Sequence, residues 1–189
     1  PWSLGGKHRG FLDQRNLFPS VVGIVRTLRP KAILIENVKG LTRAVFKDYF
    51  AYIQDQLRYP EVAPKTSEPW LDHFHRLQRH ARSGRKSGLR YRVYPTLVNA
   101  ANYGIPQRRE RVFIVAFRED LGIDWQFPKA THSQDALLYD QYVSREYWDR
   151  VCLPARKSIP DGLISRVARL TMLPPAEKPW VTVQEALNG

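Results

Sequence analysis

The sequence predicts an α/β fold built on part of a doubly wound sheet. An amphipathic helical pattern covers residues 17–28 and ends before Pro30. A short apolar run follows at 32–35, and a second helical pattern covers 45–57. Helix, buried strand and helix in alternation are typical of a parallel sheet with helices on both faces.

The first predicted strand ends at two candidate functional residues. The run at 32–35 shows no alternation, so we expect a strand that is covered on both faces of a parallel sheet. Because ligands of open α/β sheets bind beyond the carboxyl ends of strands, Glu36 and Asn37 lie where function is expected. A carboxylate that caps the next helix or pairs with a surface arginine is the alternative.

The later elements are less regular. Prolines, glycines and a dense run of basic residues at 61–90 predict a basic insertion. Two strands are predicted at 91–98 and 111–117, since both are rich in β-branched and aromatic residues, and the turn between them suggests a hairpin. Beyond residue 120 prolines punctuate short segments, so we expect an irregular C-terminal extension over 121–189.

Composition favours a nucleic-acid partner. The chain has 30 Lys+Arg against 18 Asp+Glu, a formal net charge of +12. Such a charge attracts a polyanion whatever the polyanion's sequence, although a well-solvated basic surface is the alternative. No apolar run approaches the roughly 20 residues that cross a bilayer, and no signal peptide is recognisable, so we expect a cytoplasmic protein with no membrane partner.

The chain offers little for a disulfide or a metal. Its single cysteine, Cys152, excludes an internal disulfide and a cysteine-based zinc site, and we expect a small buried side chain. Three histidines, His73, His75 and His80, lie close in sequence. Without cysteines or an acidic cluster they are a weak metal signal, so we expect no metal.

A turn with glycine and proline leads into the last predicted strand. Gln107, Arg109 and Arg111 are spaced two apart, so along a strand they lie on one face. Two guanidinium groups and an amide in that arrangement can clamp a phosphate or a base edge. An edge strand that is protected by charge is the alternative.

Four segments together resemble the DNA (cytosine-5) methyltransferase family. They occur in the family's order over residues 1 to about 118. A lone Glu-Asn-Val is a weak signal, whereas the ordered set is a strong one. The matching segments are Pro1-Trp2-Ser3, Asp13-Gln14-Arg15 with Leu17-Phe18, Glu36-Asn37-Val38-Lys39-Gly40-Leu41, and Asn102-Tyr103-Gly104-Ile105-Pro106-Gln107-Arg108-Arg109-Glu110-Arg111-Val112.

The resemblance implies a Rossmann-like methyltransferase sheet and an enzyme of the bacterial modification type found in restriction-modification systems. Residues 1–120 are then the middle part of the catalytic domain, and 121–189 lead into a target-recognition domain. In the family the nucleophilic cysteine comes two positions before the segment that opens here at Pro1, and the S-adenosylmethionine motif lies further upstream. We therefore expect a fragment that is inactive alone, or part of a split enzyme whose second chain supplies these motifs.

The resemblance also implies roles for individual residues. In the family a thiolate adds to carbon 6 of cytosine, and a carboxylic acid at ring nitrogen 3 neutralises the charge that forms. Glu36 matches that acid, which must be protonated and is expected in a closed pocket, while Arg111 and Arg109 contact the flipped-out cytosine. The remaining contacts implied are those of Ser3, Asn37 and Gln107 with double-stranded DNA, and of Asp13 and Leu17 with the cofactor S-adenosylmethionine.

Two alternative functions stay open. A transfer-RNA cytosine-5 methyltransferase is built on the same motifs. A non-catalytic nucleic-acid-binding subunit of a split enzyme would also carry a basic surface. We further expect the basic residues at 76–92 to lie along the nucleic-acid backbone, where phosphates attract them.

Overall fold

The chain folds as two compact units. The computed structural model describes residues 16–84, 88–155 and 158–188. The sequence predicts a boundary near residue 120, but the turn between the last two long strands groups with the C-terminal part of the chain. Across the described residues, no helix combines the length and the apolarity needed to cross a membrane. The units are Pro1–Leu97 with Arg111–Phe127, and Val98–Glu110 with Pro128–Gly189.

A three-stranded sheet forms the centre of the first unit. Its strands are β1 (Ala32–Val38), β2 (Tyr91–Asn99) and β3 (Glu110–Arg118). β3 lies in the middle, so the two strands predicted after the basic stretch are confirmed as neighbours. β1 and β3 run antiparallel, with Ala32 opposite Phe117 and Val38 opposite Arg111. Pro95 lies in β2, at an edge of this sheet, where a strand tolerates a missing N–H donor.

The prediction of a parallel strand covered on both faces is wrong for β1. Ile33 and Ile35 are partly buried against the core, whereas Leu34 and Glu36 are exposed, and Leu34 is 69% exposed. The run lacked alternation because apolar Leu34 occupies an exposed position. The strand also extends beyond the predicted run to Val38, since β3 pairs with it over that length.

Three helices and the sheet share one hydrophobic core. The helices predicted at 17–28 and 45–57 are confirmed as α1 and α2, and a third helix packs on α2. Two short 3₁₀ turns, Lys39–Thr42 and Ala44–Phe46, join β1 to α2. The helices are α1 (Phe18–Leu28), α2 (Lys47–Arg58) and α3 (Trp70–Arg82). Fully buried core side chains include Leu41, Ile53, Leu57, Leu77 and Ile114.

Aromatic side chains cover part of the opposite face of the sheet. The ring of Trp125 lies 5.7 Å from that of Tyr94 and 6.0 Å from that of Phe117. The ring of Phe127 lies 5.9 Å from that of Phe113. Because side chains alternate along a strand, Tyr94, Phe113 and Phe117 point away from the helices, and residues 125–127 shield them from water.

The basic stretch contributes to the core of the first unit. We expect an arm for nucleic acid there, but α3 covers 70–82 and buries Phe74 and Leu77. These two residues lie three apart and share one helical face. The sequence hides this face because three arginines and three histidines interrupt the apolar residues along α3.

His73 on α3 is a buried side chain that makes two hydrogen bonds. Its Nε2 lies 2.7 Å from the carbonyl oxygen of Val62, and its Nδ1 lies 2.8 Å from the hydroxyl of Tyr52. Since a carbonyl only accepts, Nε2 carries the hydrogen and Nδ1 accepts from Tyr52. Burial lowers the pKa of His73 below its usual value, and the nearby guanidinium groups of Arg76 and Arg26 lower it further.

We expect the stability of the first unit to fall in mild acid because of His73. In the unfolded chain the imidazole takes up a proton near pH 6.5, whereas the folded chain resists protonation. The contribution of His73 to the free energy of unfolding is therefore fully present above about pH 6.5. It decreases as the pH falls towards the lowered folded-state pKa of His73, by at most about 1.4 kcal/mol per pH unit. Denaturant unfolding between neutral and mildly acidic pH measures this.

The matched variants for this prediction are His73→Gln and His75→Gln on the same helix. His75 is exposed, so its replacement should leave the pH dependence unchanged. His73→Gln should flatten the curve in the same range. Equal curves for both variants would exclude His73 as the source. Glu68 titrates in stronger acid, because the guanidinium of Arg76 lowers the pKa of Glu68 to about 2.

The second unit is built from short helices around a small parallel strand pair. The region that we expect to be irregular therefore holds regular elements, although each is short. The described elements are β4 (His132–Ser133), α4 (Gln134–Tyr139), α5 (Glu146–Arg150), α6 (Ile164–Met172), β5 (Lys178–Pro179) and α7 (Val183–Asn188). β4 and β5 pair with Ser133 opposite Pro179.

Charged side chains link the short helices of the second unit. The guanidinium of Arg150 pairs with buried Asp140 and lies 3.1 Å from Oε1 of Glu185. One arginine thus joins α5 to α7 and to the turn that extends α4. Cys152 follows α5 and is exposed, so the prediction of a buried cysteine is wrong.

Candidate functional site

Glu36 and Arg111 meet on adjacent strands of the first unit. Glu36 lies opposite Phe113 in the β1–β3 pair, and Val38 lies opposite Arg111. Positions two apart on a strand share a face, so Glu36 and Arg111 are diagonal neighbours. Nε of Arg111 lies 2.8 Å from Oε1 of Glu36. Antiparallel pairing thus joins two residues that are remote in sequence.

This pair lies at the surface of the unit. The side chain of Glu36 is 48% exposed and that of Arg111 is 24% exposed. The described residues alone do not enclose Glu36, so the closed pocket stays a prediction. Ion pairs as exposed as this one contribute about 1 kcal/mol or less, so a ligand that hydrogen-bonds to either group competes with a weak interaction.

The residues after Glu36 fix the end of β1. The side-chain oxygen of Asn37 accepts a hydrogen bond of 2.8 Å from the backbone N–H of Val38. The hydroxyl of Thr42 donates to the carbonyl of Lys39, and Leu41 is fully buried in the core. These contacts support a positioning role for Asn37, whose contact with DNA stays a prediction.

Gln107 and Arg109 lie in a turn of the second unit, not on a strand. β3 begins at Glu110, so the prediction that Gln107, Arg109 and Arg111 alternate along one strand is wrong. Gly104 has φ +82°, a left-handed conformation that favours glycine, and Pro106 follows, so the chain bends here. The place of Arg109 beside the flipped cytosine stays a prediction.

The tip of this turn is exposed and basic. Gln107, Arg108 and Arg109 are all exposed. The carbonyl of Arg109 accepts a 2.9 Å hydrogen bond from the N–H of Ala100, which closes the base of the turn. Exposed guanidinium groups suit phosphate contacts. Sequence analysis missed Arg108, because alternation along a strand would have turned it away; the adjacent pair of arginines was the available signal.

The residues expected to bind the cofactor do not form a site by themselves. Asp13, and Ser3 among the predicted DNA contacts, lie outside the described residues. Leu17 precedes α1 and is 68% exposed. A single exposed leucine offers apolar contact but does not make a pocket, so the contact of Leu17 and Asp13 with S-adenosylmethionine stays a prediction.

Two arginines of the predicted basic arm at 76–92 are paired with acidic residues, and residues 85–87 lie outside the described part of the chain. Contact of this stretch with the nucleic-acid backbone stays a prediction. Arg76 makes a bidentate ion pair with Glu68, at 2.9 and 2.7 Å. Nε of Arg90 lies 3.3 Å from Oε2 of Glu119. Both arginines are tied to the unit by acidic partners that the sequence pattern did not reveal, because those partners lie eight or more residues away along the chain.

The carboxyl end of α3 lies far from Glu36. The ring of His80 on α3 lies 5.1 Å from that of Tyr59, which also lies 5.6 Å from the guanidinium of Arg90. Arg90 pairs with Glu119, just after the end of β3, whereas Glu36 on β1 lies opposite Phe113, near the start of β3. At about 3.3 Å per residue the strand separates these ends by roughly 20–25 Å. The last basic residues of α3 therefore do not touch Glu36.

The three histidines do not come together as metal ligands. Within residues 16–84, 88–155 and 158–188, no three His, Cys, Asp or Glu side chains are grouped to hold a metal ion. His73 is hydrogen-bonded in the core, and the ring of His80 packs on Tyr59.

Comparison with protein families gives a match over most of the chain. The family described as C-5 cytosine-specific DNA methylase matches residues 1–59 and 72–162. The matched stretches contain Glu36, Arg111 and the exposed turn. The first eleven residues of the predicted insertion, 61–71, lie in the gap between the two stretches, and its other residues lie in the second stretch. The insertion itself therefore stays a prediction.

Individual relatives agree with this match. The chain is 33% identical over 155 residues to type II methyltransferase M.HhaI of Haemophilus parahaemolyticus, which covers 79% of the chain and 38% of that protein. It is 34% identical over 145 residues to M.HgiCII of Herpetosiphon aurantiacus, covering 74% of the chain and 26% of the relative. It is 28% identical over 185 residues to M.NgoBI of Neisseria gonorrhoeae, covering 95% of the chain and 46% of that relative. The chain thus spans less than half the length of each.

Proposed function

Because the chain belongs to the C-5 cytosine-specific DNA methylase family, we propose that its protein transfers a methyl group to carbon 5 of a flipped-out cytosine in duplex DNA. The observation that carries this proposal is the Glu36–Arg111 pair, with its 2.8 Å contact and partial exposure. S-adenosylmethionine supplies the methyl group in the complete enzyme. In this proposal, residues beyond those described here complete its binding site and supply the nucleophilic cysteine.

The pair matches the edge of a cytosine ring. Cytosine presents a carbonyl oxygen, ring nitrogen 3 and an amino group side by side. A protonated Glu36 donates to nitrogen 3 and its second oxygen accepts from the amino group, while the Arg111 guanidinium donates to the carbonyl oxygen. Arg111 can make this contact only if it lies beside Glu36, as the β1–β3 register places it.

Glu36 then acts as a general acid. Carbon 5 of cytosine is a poor nucleophile until a thiolate adds to carbon 6, and that addition puts negative charge on the ring. A proton held by Glu36 at nitrogen 3 neutralises this charge, and help of this kind is worth about 10²–10⁴ in rate. The ring reaches Glu36 only when it leaves the base stack, since the target atoms are covered in a duplex.

The exposed turn provides a contact for the DNA backbone. Arg108 and Arg109 project from the second unit, and Gln107 adds an amide. Guanidinium groups bind phosphate in a bidentate manner, and the net charge of +12 strengthens attraction to any duplex. The family match favours DNA over transfer RNA as the substrate.

Methyl transfer by the full-length polypeptide encoded by the gene tests this proposal. With labelled S-adenosylmethionine, we expect 5-methylcytosine in duplex DNA of mixed sequence and none in a transfer-RNA substrate. The 189-residue chain alone should give no transfer. Methylation of transfer RNA alone would overturn the DNA assignment, and no transfer to either by the folded polypeptide would favour a non-catalytic nucleic-acid-binding subunit.

A further inference from the structure

The turn that carries Gln107, Arg108 and Arg109 is tied to a distant tryptophan. The indole N–H of Trp180 donates a 2.9 Å hydrogen bond to the side-chain oxygen of Asn102, on the other side of the same turn. Trp180 directly follows β5, and its backbone N–H donates to the carbonyl of Ser133 on β4. The strand pair therefore fixes the indole, and the indole fixes Asn102.

Further contacts hold the same side of the turn. The carbonyl of Asn102 accepts a 3.0 Å hydrogen bond from the N–H of Thr131, and the hydroxyl of Tyr103 donates to the carbonyl of Pro128 at 2.8 Å. A Cβ added to Gly104 would lie 2.9 Å from Cε1 of His132, so that ring closes on the glycine. One side of the turn is held by the body of the unit while the other side carries the exposed tip.

The indole hydrogen bond orients the Asn102 side chain but is not part of a buried core. Trp180 and Asn102 are both only partly buried, and neither belongs to a hydrophobic core cluster of the described residues. Removing one hydrogen bond between such groups changes stability little. It does free the Asn102 amide on the held side of the turn, and groups that are not held in a binding geometry must be ordered on binding.

We propose that Trp180 and Asn102 are positioning residues, which hold the exposed turn in the orientation that contacts DNA. This inference rests on the DNA contact assigned to the turn under the proposed function. Neither residue contacts DNA in this proposal. They act through Gln107, Arg108 and Arg109, so their effect depends on those side chains being present.

A double-mutant cycle tests the inference in the full-length polypeptide. Trp180→Phe keeps the ring and removes the N–H donor, and Asn102→Leu removes the acceptor. We expect each to weaken binding of a fluorescent mixed-sequence duplex about twofold to tenfold, and the two together no more than one alone. Arg109→Ala should weaken binding less in the Trp180→Phe background than in the unchanged protein, because the arginine is then no longer well placed.

Salt dependence and a matched tryptophan distinguish positioning from loss of fold. Trp180→Phe removes no charge, so the slope of log Kd against log salt should not change, whereas Arg109→Ala should lower it by about one. Trp148→Phe is the control, since the Trp148 indole donates a 2.6 Å hydrogen bond to the carbonyl of Gln141 within the same unit. It should leave DNA affinity unchanged.

Different contrary results would overturn different parts of the proposal. If Arg109→Ala changes neither the affinity nor the salt slope, the DNA contact assigned to the turn is wrong. If Arg109→Ala weakens binding equally in both backgrounds, the contact stands and the positioning role is overturned. An equal loss of affinity in Trp148→Phe and Trp180→Phe also overturns it, because general loosening of the second unit then explains both.

Discussion

Replacing Glu36 by glutamine should lower methyl transfer by about 10²–10⁴-fold in the full-length polypeptide while duplex binding is retained. Glutamine keeps the size and the hydrogen-bonding oxygen of glutamate but has no acidic proton to give to ring nitrogen 3. Loss of the ion pair with Arg111 should cost about 1 kcal/mol or less, because both side chains are partly exposed. The loss of rate therefore reports chemistry and not unfolding.

Glu119→Gln is the matched control for this variant. Glu119 also pairs with an arginine, Arg90, and it lies at the other end of β3. Its replacement removes a comparable surface ion pair at a distance from the proposed site. We expect unchanged methyl transfer. Turnover by Glu36→Gln at the unmodified rate would remove Glu36 from the mechanism and leave the family membership standing.

Replacing Leu77 by alanine should destabilise the protein by about 2–5 kcal/mol. Leu77 lies on α3 and is fully buried in the core of the first unit. Its truncation leaves a cavity that the surrounding helices cannot fill completely. Denaturant unfolding, followed by the loss of helical circular dichroism, measures this change.

The control for Leu77 lies on the same helix. Leu71 is 44% exposed, so Leu71→Ala should cost less than about 1 kcal/mol. If residues 70–82 formed a basic arm outside the core, both substitutions would change the free energy of unfolding equally little. The comparison decides whether residues 70–82 hold the unit together.

Local sequence patterns were enough for the main elements. The apolar spacing of α1 and α2 and the composition of β2 and β3 gave their positions to within a few residues. The ordered motifs around Glu36 and Arg111 identified the family. Both succeed because helical spacing, strand composition and short motifs are properties of neighbouring residues.

Those local patterns could not predict which strands pair or which residues remote in sequence come into contact. The apolar run at 32–35 fits a strand covered on both faces, but in the folded unit β1 adopts an antiparallel register with β3 and Leu34 is exposed. The same register brings Arg111 to Glu36. For α3, excess charge masked the buried face of Phe74 and Leu77, which exists only once α2 packs against it.

The sequence by itself determined the α/β class, the family and the identity of the carboxyl and guanidinium groups of the candidate site. The tertiary structure alone decided that these two groups touch, that Gln107 and Arg109 lie in a turn, and that the Trp180 indole donates a hydrogen bond to Asn102. The physical reason is that residue type and local spacing fix which chemistry is available. Strand register and long-range hydrogen bonds fix which groups meet, and these depend on the packing of the whole unit.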